Sequence, residues 1–193
     1  MSHIQKIEAI FIDRDGTIGG DHTIHYPGEF KLFPLSKKLI HQLKSDGINV
    51  FSFTNQPGIS EGKATIHDFT EELTRFGFDD VFICPHSPTE GCRCRKPGIG
   101  MLLHAAEKHN LTLENCMVIG DRWSDMLAAS SANCKKILVK TGAGHTTLNE
   151  HGEKRKDVEL DYVAENLADA IDWLYGQIKR ESVDLLENER SVN

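Results

Sequence analysis

The sequence has no long apolar run. Its longest hydrophobic stretches cover about five residues, whereas a helix that spans a membrane needs roughly 20. Residues 1–6 also lack the basic segment and following apolar segment of a secretion signal. These absences predict a cytoplasmic protein without a membrane partner.

The chain has no excess of basic residues either. It contains 22 Lys and Arg against 29 Asp and Glu, for a formal net charge of −7. A general nucleic-acid-binding protein needs a basic surface against the phosphates, so this balance argues against nucleic acid as a partner. The 39% hydrophobic and 26% charged residues are typical of a globular chain.

The length of 193 residues suits one domain with a single core. We expect that domain over residues 1–181, followed by a charged C-terminal tail over residues 182–193. Cysteine is scarce as well. In a reducing cytoplasm we expect the five cysteines to be free thiols or metal ligands before disulfides.

Short apolar runs alternate along the chain with helically spaced apolar residues. The predicted strands are residues 9–12, 48–53, 81–83, 117–119 and 136–139. The predicted helices lie between residues 36 and 47 and over residues 66–76, 99–109, 126–132 and 164–178, the last after a polar stretch that ends near residue 158. This alternation predicts an α/β fold with a doubly wound, Rossmann-like parallel sheet and helices on both faces.

Polar residues follow the predicted strands directly. Asp13 and Asp15 come after the first strand, Thr54 and Asn55 after the second, and Asp121 after the fourth. Doubly wound sheets bind their ligands beyond the carboxyl ends of the strands. We therefore expect these side chains to line one cleft.

Asp13 and Asp15 form the first candidate pair. An Asp-Gly pair is also common in turns, so an Asx turn is the alternative for this segment. Two carboxylates in one cleft repel, and they either share a proton or hold a cation such as Mg²⁺ between them. An ionised Asp can attack phosphorus, while a neighbouring acid donates a proton to the leaving oxygen.

The next two strand ends carry groups that suit phosphate. Thr54 and Asn55 offer a hydroxyl, an amide and backbone N–H groups, although a polar loop that begins a helix would look the same. Arg95 and Lys96 bring two cations, and a lysine can neutralise charge on a transferring phosphoryl group. Basic pairs of this kind are otherwise solvated surface residues.

Asp121 is a candidate metal ligand because it follows a strand directly. Asp125, one helical turn later, can orient a water molecule or Lys96, or can simply be an acid favoured by the helix dipole. Arg122 is a further candidate at the same strand end.

Together these segments resemble the haloacid-dehalogenase-like phosphohydrolases. Residues 13–17, residues 54–56, Lys96, and residues 120–121 with Asp125 match the four motifs of that family in order. The match covers about residues 8–145. Each part is weak alone, but the four lie on successive predicted strand ends.

The resemblance implies a role for each matching residue. Asp13 is the expected nucleophile, and Asp15 is the expected general acid and base, with its backbone carbonyl on Mg²⁺. Thr54 is expected to bind the phosphoryl group and Lys96 to stabilise it. Asp121 is expected to complete the Mg²⁺ site.

A second strong pattern is a cysteine and histidine cluster. Cys84, His86, Cys92 and Cys94 lie within residues 84–94, in a segment whose Pro and Gly residues predict a loop. Three thiolates and one imidazole form a closed tetrahedral Zn²⁺ site, so the expected ion is structural. A reactive thiol pair or an incidental cluster is the alternative.

This loop precedes Arg95 and Lys96 directly, as in the branch of the family that holds heptose bisphosphate and histidinol-phosphate phosphatases. The motifs look more like the heptose type, whereas the five residues between His86 and Cys92 are closer to the histidinol-phosphate pattern. No insertion is long enough for a lid domain. We expect an open cleft with substrate contacts from Asn55, Arg95, Asp21 and His22.

These observations predict a Mg²⁺-dependent phosphatase that acts on a small phosphate ester, a sugar bisphosphate or histidinol phosphate, through an aspartyl-phosphate intermediate. Two other classes remain open. A receiver-like signalling domain also uses acidic residues, Thr and Lys on a doubly wound sheet. A zinc-dependent interaction module accounts for the cysteines but leaves the carboxylates unexplained. The sequence predicts nothing about the oligomeric state.

Overall fold

A single parallel sheet organises the residues that the computed structural model describes, which are 7–149 and 158–191. Its strands are β1 (Ala9–Ile12), β2 (Asn49–Asn55), β3 (Asp80–Cys84), β4 (Cys116–Gly120), β5 (Lys135–Val139) and β6 (Tyr162–Ala164). The helices are α1 (Ser36–Ser45), α2 (Ile66–Phe76), α3 (Gly100–His109), α4 (Trp123–Ser131), α5 (Gly144–Asn149) and α6 (Leu167–Ser191). The predicted doubly wound α/β fold is confirmed.

The sheet has the strand order β3-β2-β1-β4-β5-β6. The chain builds outward from β1 on one side and then crosses to β4 on the other side. Every residue of β1 and β4 is buried, because both strands have neighbours on each side and helices on each face. The reversal between β1 and β4 opens a crevice at their carboxyl ends.

Two apolar layers enclose the sheet. Side chains alternate between its faces, so Ile10 and Ile12 pack with α1 and α6 while Phe11 packs with α3 and α4. Phe11 contacts the rings of Phe51, Phe53 and Phe82 at centroid distances of 5.5 to 6.3 Å. This packing holds the carboxyl ends of the central strands in fixed positions.

Several predicted boundaries are wrong. β2 continues to Asn55, so Thr54 and Asn55 belong to the strand and pair with β3 rather than follow the strand. α4 begins at Trp123, one turn before the predicted start. Within the polar stretch that we predict to end near residue 158, residues 144–149 form α5, and residues 150–157 lie outside the described residues.

The C-terminal prediction also needs correction. Ala164 ends the short strand β6 instead of beginning a helix, because three residues are too few to produce a strand pattern. α6 runs to Ser191, well past the predicted end near residue 178, and it includes residues 182–191 of the predicted tail. No Gly or Pro follows residue 178 in the sequence, so no residue of either type ends the helix earlier.

Among the described residues, no helix has the length and apolar character to cross a membrane. Residues 1–6, 192 and 193 lie outside the described part of the chain.

Candidate active site

The turn after β1 brings two carboxylates to the crevice. The backbone N–H of Asp13 donates to the Ile119 carbonyl at 2.9 Å, so Asp13 still pairs with β4 one residue beyond the strand. Gly16 adopts φ +80°, and a Cβ there would lie 2.2 Å from the Asp121 Oδ2 atom. Glycine is therefore required for the turn to approach the end of β4 so closely.

A buried lysine links two of the predicted carboxylates. The Lys96 Nζ atom lies 2.8 Å from Asp13 Oδ1 and 2.6 Å from Asp125 Oδ1, and it donates to the Phe53 carbonyl at 2.7 Å. Burial alone would lower the pKa of Lys96, but the charges of Asp125 and Asp13 outweigh it and raise that pKa. Lys96 therefore carries its charge directly against the predicted nucleophile.

Asp125 is fully buried and has two partners. Its Oδ1 atom contacts Lys96, and its Oδ2 atom accepts from the backbone N–H of Arg122 at 3.0 Å at the start of α4. Burial raises the pKa of Asp125 to about 6 although Lys96 lowers it. Of the roles predicted for Asp125, orienting Lys96 and being an acid at the start of a helix both match its geometry.

Asp121 has the features of a metal ligand. It is fully buried, and its Oδ2 atom accepts from the backbone N–H of Ala143 at 2.7 Å. Its Oδ1 atom has no hydrogen-bond partner among the described residues, and the Arg122 Nε atom lies 3.9 Å away. Carboxylate oxygens of Asp13, Asp121 and Asp125 lie within 4.8 Å of one another. A buried carboxylate oxygen without a hydrogen-bond partner, in an acidic group, suits a hard divalent cation.

Asp15 is held on both of its oxygens. Gln56 Nε2 donates to Oδ2 at 2.6 Å, and Arg14 Nη1 donates to Oδ1 at 2.7 Å. Burial raises the pKa of Asp15, with Asp13 adding to that effect and Arg14 opposing it. A carboxyl group with a raised pKa is suited to donating a proton.

These strand ends line a cavity of about 520 Å³. Its lining includes the further candidate Arg122 and seven of the predicted catalytic and substrate-binding residues, namely Asp13, Asp15, His22, Thr54, Asn55, Arg95 and Lys96. Thr54 is almost fully buried, and its Oγ1 atom accepts from Gln56 at 2.9 Å. The carboxyl ends of β1, β2 and β4 thus meet in one cleft, as predicted.

The loop after β1 contributes His22 to the cleft but not Asp21. The Asp21 carboxylate accepts from the backbone N–H and hydroxyl of Thr23 at 2.7 and 2.6 Å, and these bonds lower its pKa to about 2. Arg122 Nη2 donates to the His22 carbonyl at 2.5 Å, which ties this loop to the start of α4. Substrate contact by Asp21 remains a prediction that this geometry does not favour.

Asn55 contacts the protein backbone instead of standing free in the cleft. Its Nδ2 atom donates to the Lys96 carbonyl at 3.2 Å, and its Oδ1 atom accepts from the Lys96 N–H at 3.0 Å. The amide thereby fixes the backbone that carries Lys96. Its predicted substrate contact is untested.

Sequence reasoning assigned no role to three residues around Asp15. Arg14 and Gln56 lie inside the matched motifs. Their places in those motifs were the sequence signal that could have marked them as functional residues. Glu72 is in α2, where it pairs with Arg14 across 58 positions of sequence. No local pattern marks such a partner.

The predicted zinc ligands converge on one point. The Sγ atoms of Cys84, Cys92 and Cys94 lie 3.3 to 3.5 Å apart, and His86 Nδ1 lies 3.6 Å from Cys84 Sγ and 3.2 Å from Cys94 Sγ. A tetrahedral ion with Zn–S bonds of about 2.3 Å separates its ligands by similar distances. None of these cysteines forms a disulfide. The donor set and its spacing fit Zn²⁺.

The cysteine loop is joined to the cleft by backbone contacts. Asn55 pairs with Cys84 in the sheet, and the N–H of Gln56 donates to the Cys84 carbonyl at 2.8 Å. Arg95 Nη1 donates to the His86 carbonyl at 3.2 Å. Order in this loop therefore determines where Arg95 and Lys96 lie.

We predict that replacing Cys92 with serine releases zinc and destabilises the chain. Elemental analysis of the purified protein is expected to find about one zinc per chain. In Cys92→Ser the zinc is lost, and a destabilisation of about 2 kcal/mol would lower Tm by roughly 4–8 °C. Cys134→Ala, which alters a buried thiol outside the loop, is expected to keep the metal. Wild-type protein without zinc would refute the assignment.

We also predict that binding of a divalent cation at Asp121 strengthens as pH rises. Burial and the nearby charges of Asp13 and Asp125 raise the pKa of Asp121 to about 8, so below that pH a proton must leave before the cation binds. Calorimetric titration with Mg²⁺ is expected to find affinity rising by up to about tenfold per pH unit and levelling above about pH 8. Asp121→Asn is expected to abolish this trend. A pH-independent affinity in the wild type would contradict it.

Comparison with known proteins identifies the family. The family model described as "HAD-hyrolase-like" matches residues 93–170. A D-glycero-beta-D-manno-heptose-1,7-bisphosphate 7-phosphatase from Pasteurella multocida is 36% identical over 84% of this chain and 94% of the relative. The enzyme of that name from Helicobacter pylori strain 26695 is 38% identical over 68% of this chain and 83% of the relative.

A solved structure agrees with these relatives. The crystal structure of D,D-heptose 1,7-bisphosphate phosphatase from B. bronchiseptica, complexed with magnesium and phosphate, superposes with a TM-score of 0.76 at 31% identity. The match covers 88% of this chain and 99% of that one. The resemblance to the haloacid-dehalogenase-like family is thereby confirmed. The chain belongs to the haloacid-dehalogenase-like hydrolase family and is one of its phosphatases.

Proposed function

We propose that this chain removes the 7-phosphate of a heptose 1,7-bisphosphate with the help of Mg²⁺. The observation that carries the chemistry is the Asp13 carboxylate, which lies 2.8 Å from the Lys96 ammonium at the base of the cleft. The substrate class is inferred from relatives that carry this activity in their names. The receiver-like and zinc-module alternatives explain neither these relatives nor the four grouped motifs.

Asp13 is the proposed nucleophile. It is 5% exposed, and its small open surface faces the cavity. One carboxylate oxygen forms a bond to phosphorus as the bond between phosphorus and the sugar oxygen breaks. The product of this first step is an aspartyl phosphate on Asp13.

Asp15 is the proposed general acid and base. In the first step its proton passes to the departing sugar oxygen, so the alcohol leaves neutral. In the second step the Asp15 carboxylate takes a proton from the water that attacks phosphorus, and the bond between phosphorus and Asp13 breaks. These transfers regenerate both carboxyl groups and release inorganic phosphate.

Lys96 and Thr54 complete the phosphoryl site in this proposal. The ammonium group offsets negative charge on the phosphoryl oxygens, and low exposure strengthens that effect. The Thr54 hydroxyl already accepts a bond from Gln56, so its own hydrogen is available for a phosphoryl oxygen. Asp125 holds Lys96 in place.

Asp13, Asp121 and the Asp15 carbonyl are the proposed ligands of Mg²⁺. When bound, the ion supplies positive charge to the phosphoryl oxygens. The Oδ1 atom of Asp121, which has no hydrogen-bond partner among the described residues, supports this assignment. Zn²⁺ in the cysteine loop has no open position, so its proposed role is to order the loop that carries Lys96.

The zinc loop and cleft wall also suggest how a bisphosphate is recognised. Arg95 and Arg122 both line the cavity in addition to Lys96. A second phosphate needs such a cation outside the reacting centre. Histidinol phosphate, the second candidate, is favoured only by the short spacing between His86 and Cys92. It carries a cationic amino group and no second phosphate, so the same arginines would not favour it.

We predict that Asp13→Asn abolishes turnover and leaves the fold intact, because the amide is nearly isosteric but cannot attack phosphorus. Phosphate release from heptose 1,7-bisphosphate is expected to fall by at least about 10³-fold, with Tm and zinc content close to wild type. The exposed Asp172→Asn in α6 is the matched control and is expected to retain full activity. Substantial turnover by Asp13→Asn would rule out the covalent mechanism.

We further predict that Arg95→Gln raises KM for a bisphosphate and spares a monophosphate. Loss of one charge-assisted contact is expected to raise KM by about tenfold for heptose 1,7-bisphosphate and to alter p-nitrophenyl phosphate kinetics by less than about twofold. Arg93→Gln is the matched control, because Arg93 is exposed and is not part of the cleft lining. Faster turnover of histidinol phosphate than of the bisphosphate would reassign the substrate.

A further inference from the structure

A buried ion pair lies directly behind the cleft and is not used by the proposed chemistry. Arg14 is completely buried, and its Nε and Nη2 atoms donate to Glu72 Oε1 at 3.1 and 2.6 Å. Glu72 is 7% exposed and lies in α2. Burying two charges is costly, and an apolar pair of the same volume is often at least as stable. The pair therefore calls for an explanation other than stability.

The remaining contacts of the pair all lead to the site. Arg14 Nη1 donates to Asp15 Oδ1 at 2.7 Å and to the His25 carbonyl at 2.8 Å. Glu72 Oε2 accepts from the backbone N–H of Gly28 at 3.1 Å. Both charged groups thus bind the loop formed by residues 21–33, whose residues His22, Thr23 and Ile24 line the cleft.

The guanidinium group has little freedom to move. Its central carbon lies 3.7 Å from the centroid of the Phe30 ring and 5.0 Å from that of Phe69. A planar group stacked against aromatic rings and bonded through all three nitrogens has one orientation. Its Nη1 atom donates both to Asp15 and to the loop, so a displacement of the guanidinium group disturbs both contacts.

Asp15 consequently has a fixed orientation in the cleft. Arg14 binds its Oδ1 atom and Gln56 binds its Oδ2 atom, and both partners are donors. These contacts fix the plane of the carboxyl group. Neither partner accepts a hydrogen bond from it. The side of the group that faces the cavity is left for the substrate.

We infer that Arg14 and Glu72 form a positioning pair, which aligns Asp15 with the leaving oxygen and holds the loop of residues 21–33 over the cleft. This inference rests on the proposed role of Asp15 as general acid. Neither residue of the pair contacts the reacting atoms. Their effect is exerted through the orientation of Asp15 and the position of the loop.

The test compares two leaving groups. A sugar alkoxide needs a proton to depart, whereas p-nitrophenolate delocalises its charge and departs without one. The value of kcat/KM reports the first phosphoryl transfer, and we compare this value for heptose 1,7-bisphosphate with that for p-nitrophenyl phosphate as a ratio. A fall in the ratio that comes from kcat measures the alignment of the acid, because a lost phosphate contact, such as that of Arg95, raises KM instead. A change in stability alone would lower both values together.

Three variants remove the alignment in different ways, namely Glu72→Gln, Arg14→Lys and the double variant Arg14→Met with Glu72→Met. Each is expected to lower the ratio by about tenfold, since misplacing an acid forfeits part of its contribution. The double variant replaces both charged side chains with apolar side chains of similar volume, so it is the variant expected to keep the wild-type Tm. Glu71→Gln is the matched control, because Glu71 is exposed and pairs with Arg75.

Each outcome decides the inference. A folded double variant with a lowered ratio supports positioning, and a wild-type ratio overturns it. If none of the three variants folds, the pair is structural and the inference also fails.

Asp15→Asn separates this result from failure of the proposed function, because an unchanged ratio in that variant would show that Asp15 is not the acid. If the wild type hydrolyses only p-nitrophenyl phosphate and glycerol 3-phosphate, the heptose proposal fails and glycerol 3-phosphate becomes the alkyl probe.

Discussion

The buried ammonium group of Lys96 is the contact on which the site depends. A charge removed from water has to be paired, and its partners here are Asp13 after β1, Asp125 in α4 and the Phe53 carbonyl in β2. One cation therefore joins three separate elements at the carboxyl edge of the sheet. Asp121 adds a third buried carboxylate, which lies within 4.8 Å of those of Asp13 and Asp125. If all three are ionised, this group has an excess of negative charge, which a bound divalent cation would offset.

Two sets of contacts hold Lys96 in position. The Asn55 amide binds both its N–H and its carbonyl, and the cysteine loop ends two residues before it at Cys94. The loop also pairs with the end of β2 through Cys84. A side chain that must contact a phosphoryl group needs this kind of support, because small displacements are costly in rate. The same logic extends to Asp15, which is held by Gln56 and Arg14.

The elements that the sequence predicted well have strong local signals. β1 and β4 are continuous apolar runs, and α2 has a regular apolar pattern with a capping box at Thr65. β6 and α5 were missed because they are short, with three and six residues. Asn55 was assigned to substrate from its residue type, and Asp21 from its place in the loop after the first motif. Their hydrogen bonds to Lys96 and Thr23 depend on partners that residue type does not reveal.

The sequence by itself determined the order of β1 to β5 and the helices between them, the carboxylates at the strand ends and the set of Cys and His residues that could hold Zn²⁺. These features are encoded by neighbouring residues, through apolar periodicity and the spacing of Cys and His. Only the tertiary structure decided which distant groups meet. Arg14 pairs with Glu72 across 58 positions, and Gly16 packs against Asp121. Such contacts depend on strand register and helix packing, which are set by the whole core and by no single segment.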